Sequence, residues 1–480
     1  MRSDNVLEEE LVKLVKKITT EKCEKQHIEL KKASGGAPTR IYDTLSSFSN
    51  QISGGIIIFG IDEDAGYEVV GVYDAQDLQK KVMEQSLQME PVVRPLFTVA
   101  QVGDKLVVSA EISECDIYDK PCFYRGAGRL RGSYIRVGDS DQTMTEYEIY
   151  SYEAFKRRIH DELRTVDRAT MQHLKKDNLT EYLIKLHRQK VNLVNLDDVR
   201  VLETQGISQN ALPTLTGLML LGEYPQEFFP QLSITAMVVQ GKEIGELGEE
   251  GERFIDNKRF EGTISQMLEG SLAFVRRNMK VKTIINEDGF RADKLEYPIK
   301  AVREIILNAL IHRDYSVHTE RSPIRLVMYE DRLELENPGG LYGRITVDNL
   351  GKVAADTRNP YLAGALEIMI DTENRFSGIP TVMAELKKAG MPVPLFIDRR
   401  GVFKVIFYKK SNIEDKERNF EQEIISYCIT PRTREELADK FGFDSPTYFL
   451  KIYVSPLLEQ GIIKMTMPEK PKSKFQKYYS

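Results

Sequence analysis

The chain has 480 residues, 41% of them hydrophobic and 29% charged, with a formal net charge of −6 and no tryptophan. Such a length holds about three or four domains, and the balance is ordinary for soluble globular protein. It excludes a global basic field, so any contact with nucleic acid must use local patches.

No apolar run approaches the ~18 residues of a membrane span. The first residues, MRSDNVLEEELVKLVKKI, read as an acidic-then-basic helix and not as a signal peptide. The expectation is a cytoplasmic protein with no membrane partner. Cys23, Cys115, Cys122 and Cys428 are scattered, and Cys115 and Cys122 are spaced outside the usual zinc patterns. Free thiols in a reducing compartment fit better.

Residues 5–18 form an amphipathic helix, with Leu7, Leu11, Leu14, Val15 and Ile18 on one side. The alternation through His27, Ile28, Glu29, Leu30 and Lys31 has strand period. Residues 38–50 are helical, with Ile41, Leu45 and Phe48 inward. Ser53-Gly54-Gly55 then leads into 56–61, a strand apolar on both faces and therefore buried on both. Glu24, Glu29 and Asp62 could converge near the mouth of one sheet. Three carboxylates are the ligand set a nuclease needs for a divalent ion. The alternative is that Glu29 pairs with Lys31 or an arginine, and Asp62 caps a turn. Further on, FYRGAGRLRGSYIR carries Arg125, Arg129, Arg131 and Arg136 with Tyr124 and Tyr134 interleaved and no acid. This is a docking patch for a phosphate backbone, or else a solvated hairpin salt-bridged to nearby acids.

The N-terminal motifs resemble the Schlafen AlbA-like domain over about residues 10–150. They are Glu24 and the strand after it, SFSN followed by Gly54-Gly55, the apolar strand into Gly60-Ile61-Asp62, and GRLRGSYIRVGDSDQTMT. The resemblance implies nucleic-acid binding. In nuclease members it implies an acidic Mg²⁺ or Mn²⁺ site, onto which Glu24, Glu29 and Asp62 map as metal-binding and catalytic residues.

Residues 151–285 read as a helical and mixed connecting region without chemistry of its own. Two apolar runs in 212–240 suggest a helix and a buried strand, and 260–278 another helix. The stretch PIKAVREIILNALIHRDYS, 298–316, is an amphipathic helix started by Pro298. Its apolar face holds Val302, Ile305, Ile306 and Leu310. Glu304 and Asn308 are four apart, so they share one side, and an oxygen pair of this kind suits Mg²⁺ and an attacking water. A solvated helix edge is the plain alternative. Residues 324–337 alternate as a β-hairpin about Glu330-Asp331. ENPGGL, TRNP, FSGIP and a strand at 402–407 follow.

That order resembles a GHKL-type ATP-binding domain, in the variant attached to AlbA-like domains of predicted bacterial regulators. The resemblance implies that Glu304 orients or activates water and Asn308 binds Mg²⁺. It places Asn337, Gly339 and Gly340 under the adenine, and Arg358, Asn359, Ser377 and Gly378 along the phosphates. Asn337 stands where the family has an Asp, and the phosphate loop is poor in glycine. Both departures favour holding ATP over hydrolysing it.

From 419 on, three helices and a strand pair make a winged helix-turn-helix. Residues 464–480 carry five lysines against one glutamate, and Thr447, Lys451, Lys464 and Lys474 are its candidate nucleic-acid contacts. The fold expected is thus α+β and multidomain: an AlbA-like α/β domain (1–150), the connecting region (151–285), a Bergerat-like α/β sandwich (286–410) and a winged helix-turn-helix (411–480). The function expected is an ATP-binding, nucleic-acid-binding transcriptional regulator, as a homo-oligomer. A metal-dependent Schlafen-type RNase, gated by nucleotide, is the alternative, and an oligomerising scaffold without catalysis a further one.

Overall fold

The computed structural model describes residues 2–246, 251–285, 291–354, 356–369, 378–399, 401–409, 420–421, 423–443, 445–469, 473 and 476–480. The chain forms two compact units, Met1–Ile159 and His160–Ser480.

In the first unit the apolar strand Gly55–Phe59 lies between the parallel strand Ile28–Lys31 and the antiparallel strand Lys105–Ile112, with Leu96–Val102 outermost. Helices cover both faces, which is why this strand is apolar on both sides. Ile57 and Phe59 pack with Ile41, Leu45 and Phe48 of the Tyr42–Asn50 segment. Ile58 packs on the other face with Leu11, Val15 and Ile18 of the Arg2–Glu21 helix. A Cβ on Gly55 would lie 2.5 Å from the Phe48 ring, so the bare glycine lets that helix close onto the sheet. A hairpin, Tyr134–Val137 with Ser140–Thr143, continues the unit.

The second unit is built on a six-stranded sheet in the order Asp256–Phe260, Ile234–Val238, Ile324–Met328, Arg332–Pro338, Val402–Tyr408, Leu395–Arg399. The hairpin at 324–338 forms in the alternating register expected, with Met328 opposite Leu333. The helices Leu215–Leu221, Ile264–Asn278, Ile299–His312, Pro360–Met369 and Gly378–Lys388 contribute to the same core as the sheet. A domain boundary at 285/286 therefore does not hold. Strand Ile234–Val238 pairs in parallel with Ile324–Met328, and one core runs from Ala169 to Phe407. The apolar runs of 212–240 have no core of their own to fill.

The C-terminal residues enclose a separate cluster that includes Cys428, Leu437, Phe449, Val454, Leu457, Ile463 and Tyr478. Helix Arg434–Lys440 carries a capping box at Thr433. The next helix starts at Pro446–Phe449 and passes through a π turn, Leu450–Val454, into Ser455–Glu459. Pro456 has no N–H to continue the regular ladder, which accounts for the wider turn just before it. Strands Arg432–Thr433, Lys477–Tyr479 and Lys464–Met465 form a three-stranded sheet, one short strand more than the expected hairpin. The whole is an α+β, multidomain protein. Among the described residues no helix is long and apolar enough to cross a membrane.

Candidate functional site

Two clusters hold most of the candidate residues. The first lies in Met1–Ile159. Strand alternation sends Ile28 and Leu30 into the core under the Arg2–Glu21 helix, so Glu29 points to the opposite face. There it meets Arg136, which is only 4% exposed. Arg136 Nη1 lies 2.8 Å from Glu29 and 3.0 Å from Asp141, and Nη2 lies 3.7 Å from Glu24. Nη2 also donates to the Ile28 carbonyl at 3.2 Å. Asp141 accepts the Thr44 and Ser47 hydroxyls at 2.8 and 2.6 Å, and Glu24 accepts the Leu30 N–H at 2.6 Å. Burial, reinforced by the Glu29 charge, pushes the Glu24 carboxyl up to about 7.

Asp62 does not join this group. Lys32 holds it at 2.7 Å, and that hydrogen bond keeps its carboxyl below the usual range. The expected trio of Glu24, Glu29 and Asp62 as metal ligands is thus replaced by Glu24, Glu29 and Asp141 closed around a guanidinium. Glu29 also takes Lys31 at 2.5 Å. Among the described residues no three His, Cys, Asp or Glu side chains gather as a metal site. Arg136 likewise leaves the phosphate-docking patch, because its charge is buried and spent on carboxylates. Of the other arginines, Arg125 is tied to the Leu87 and Gln88 carbonyls. Arg129 pairs with Glu153 and lies over the Phe123 ring. Arg131 is exposed.

The second cluster surrounds the Ile299–His312 helix. Ala301, Val302, Ile305, Ile306, Ala309 and Leu310 bury its apolar stripe, which leaves Glu304 and Asn308 half-buried at its edge. Burial raises the Glu304 carboxyl, while Arg303 and a hydrogen bond from Asn308 pull it down. Gly378 of the Gly378–Lys388 helix lies against this pair. A Cβ on Gly378 would lie 3.3 Å from the Asn308 amide nitrogen and 3.5 Å from the Glu304 carboxylate.

The remaining residues meet at the other end of the helix. Arg358 pairs with the buried Asp314 at 3.1 Å, donates to the Gly340 carbonyl at 3.3 Å and lies 5.0 Å from the Tyr342 ring centroid. Asn359 is fully buried and donates to the Ile311 and Arg313 carbonyls at 2.8 and 2.7 Å, capping the helix end. Asn337 is buried, and its Oδ1 has no hydrogen-bond partner. Burial and the nearby Arg358 charge push the His312 imidazole down to about 4. Glu304, Asn308 and Gly378 are therefore together, whereas Gly339, Gly340, Arg358 and Asn359 surround the His312–Asp314 segment. Ser377 and Lys474 lie outside the described residues, as does the side chain of Thr447; Lys451 and Lys464 are exposed.

Residues 24–145 match the family model "Schlafen, AlbA_2", and residues 321–407 match "Putative ATP-dependent DNA helicase recG C-terminal". The chain carries a Schlafen AlbA_2 domain and a RecG C-terminal-type domain. Residues 424–479 match "Filamentation induced by cAMP protein Fic-like, C-terminal domain". Among solved structures, a Corynebacterium diphtheriae protein known by crystallography is 17% identical. That alignment covers 90% of this chain and 87% of the other, with a TM-score of 0.39. The N-terminal domain of a RecG-related protein from Nitrosomonas europaea is 27% identical over 28% of this chain and 92% of its own, with a TM-score of 0.23. No curated protein sequence matches the chain.

In the AlbA_2 domain the sequence reading missed Asp141 and Lys32. In the RecG C-terminal-type domain and the helix before it, it missed Arg313, Asp314 and Asp398, whose carboxylate accepts the Leu341 N–H at 3.2 Å beside Gly340. A signal existed for Asp314: HRD interrupts an otherwise apolar stretch, and Arg313 and Asp314 are 1% and 2% exposed. Gly339 is a consequence of that packing. Its φ is +102°, and an added Cβ would lie 2.5 Å from both Arg358 Nη1 and Asp314 Cβ. Gly339→Ala is expected to lose about 2–3 kcal/mol of stability, from a strained backbone and a displaced ion pair. A urea titration checks this, and a loss under about 0.5 kcal/mol, the usual range for a surface substitution, would contradict it.

Proposed function

We propose that this chain is a cytoplasmic regulator of transcription that binds ATP with Mg²⁺ and contacts nucleic acid. The observation that carries the nucleotide half is the meeting of Glu304 and Asn308 with Gly378 of the Gly378–Lys388 helix. The carboxylate and carboxamide there are the oxygen donors a hard cation prefers. Asn337 adds a buried acceptor without a partner, suited to an exocyclic amine. The residues present thus fit the group. When bound, ATP·Mg²⁺ would supply a triphosphate and a divalent charge. Asn308 would hold the cation, Asn337 the base, and Glu304 would orient water. The raised Glu304 carboxyl makes it a proton acceptor nearer neutrality than a free glutamate. The glycine-poor approach to Ser377 makes this a protein that holds nucleotide more than it hydrolyses it.

The nucleic-acid half rests on the AlbA_2 match and on two basic regions: exposed Arg125 and Arg131, and the C-terminal module with exposed Lys451 and Lys464. We read that module as a winged helix-turn-helix. A metal-dependent RNase working through Glu24, Glu29 and Asp62 has no comparable support, because Arg136 and Lys32 already occupy those carboxylates.

The test of the nucleotide half is calorimetry with ATP·Mg²⁺. Wild type should bind, and Asn308→Ala should weaken binding at least tenfold, or about 1.4 kcal/mol. Equal affinities, or no binding by wild type, would remove the claim.

A further inference from the structure

The AlbA_2 domain carries an aromatic and basic face that the buried carboxylate cluster does not use. Tyr42 and Tyr124 stack with ring centroids 3.8 Å apart and planes 12° from parallel. Both rings rest on the core from outside it and stay half-buried. Arg40, with its side chain 63% exposed, donates to the Tyr134 hydroxyl at 3.1 Å and stands 3.6 Å from Asp43. Arg125 is exposed beside Tyr124, and its backbone N–H and guanidinium are both fixed to the Gln88 carbonyl. Arg131 is exposed on the short Gly128–Gly132 helix, which packs beside the Tyr124 strand.

Gly126 supplies a second observation. It is not among the residues of positive φ, so no conformational demand calls for glycine. What it supplies is space: a Cβ there would lie 2.4 Å from both Cζ and the hydroxyl of Tyr124. The glycine thus lets its own backbone close onto the hydroxyl end of the Tyr124 ring, which fixes that ring in the stack.

We infer that this face binds single-stranded nucleic acid, with an unpaired base stacked on the Tyr42–Tyr124 pair and Arg40, Arg125 and Arg131 following the phosphates. The inference rests on the nucleic-acid reading above and narrows it to a substrate class. Aromatic faces engage bases that are free of a duplex stack, and the contact is indifferent to sequence. Arginines spaced along the same surface supply the salt-dependent part of the affinity. A duplex offers this face only its backbone.

The experiment uses the full chain and a fluorescent 12-nucleotide oligouridine, with a duplex of equal length as the second probe. The single strand should bind more tightly. Tyr42→Leu and Tyr124→Leu, which keep the apolar contact with the core, should each weaken it about tenfold, the size of effect expected for one lost base stack. Tyr124→Phe should stay within twofold of wild type. Arg131→Glu, an exposed site that does not disturb folding, should weaken the single strand and lower the salt dependence. A 5-iodouridine probe should crosslink at Tyr42 or Tyr124. If single strand binds but is untouched by these substitutions, or duplex binds as well as single strand, this face is not the site, while the nucleic-acid reading stands. If neither probe binds, that reading falls too.

Discussion

Arg358→Met is expected to destabilise the second unit by about 3–5 kcal/mol, the usual loss when one partner of a buried ion pair is removed. Asp314 and Arg358 have side chains 3% and 7% exposed and stand 3.1 Å apart. Methionine keeps most of the aliphatic volume but leaves the carboxylate in a site with little water. It also removes the donor to the Gly340 carbonyl and the cation over Tyr342. Asp314 keeps the Ser316 N–H at 2.8 Å, so the loss should not exceed this range. The double variant with Asp314→Asn should recover much of it, since no buried charge then remains uncompensated. His312 supplies an independent readout. Without the Arg358 charge its imidazole should titrate higher than about 4, which proton NMR of the ring can follow. The measurement also separates two roles for Arg358. A residue serving nucleotide phosphates would lose ATP affinity at nearly constant urea midpoint. A residue holding the loop at 338–342 against the helix end would lose stability first, and the geometry favours the second.

The difference between these roles shows what the sequence could and could not disclose. The strand Gly55–Phe59 was readable because two covering helices require apolar residues on both faces. The hairpin at 324–338 was readable from alternation about a two-residue turn. Glu304 and Asn308 were readable because one helix fixes their spacing. Each of these depends on neighbours in the chain. Arg136 was grouped with Arg125, Arg129 and Arg131 by proximity in sequence, yet the strand starting at Tyr134 turns it inward, and the backbone carbonyl it meets, that of Ile28, is 108 residues away. Asn359 sits in a motif borrowed from phosphate sites, yet its amide is taken by carbonyls 46 and 48 residues back. The join of Ile234–Val238 to Ile324–Met328 is a parallel pairing across a long connection, and no local pattern announces it. Local periodicity gave the elements, while partners of buried charges and sheet order are properties of the closed fold.

Arg136→Met should be at least as damaging in the AlbA_2 domain, and its damage should depend on pH. At pH 8 the variant leaves Glu24, Glu29 and Asp141 facing one another without the guanidinium, for a loss of about 3–5 kcal/mol. In wild type the Glu24 carboxyl already stands at about 7, above its ordinary 4.5. The folded state therefore holds that proton more tightly than the unfolded chain does. Its contribution is full below about pH 4.5 and is lost as pH rises through 7. Stability of the wild type should fall by about 1–3 kcal/mol between pH 5 and pH 8 from this group. Glu24→Gln should flatten that slope. Removing Arg136 takes away an attraction that favours the ionised Glu24 carboxylate, so the Glu24 pKa rises further and the variant should recover part of its loss on acidification. The urea midpoint of the AlbA_2 transition in the full chain, taken at pH 5 and pH 8, measures all three slopes. A deficit for Arg136→Met that is the same at both pH values would mean that packing on Phe48, 5.4 Å from the guanidinium, matters more than its charge. Adding Glu24→Gln to Arg136→Met should then restore nothing, whereas an electrostatic lock predicts recovery of about 1 kcal/mol or more at pH 8.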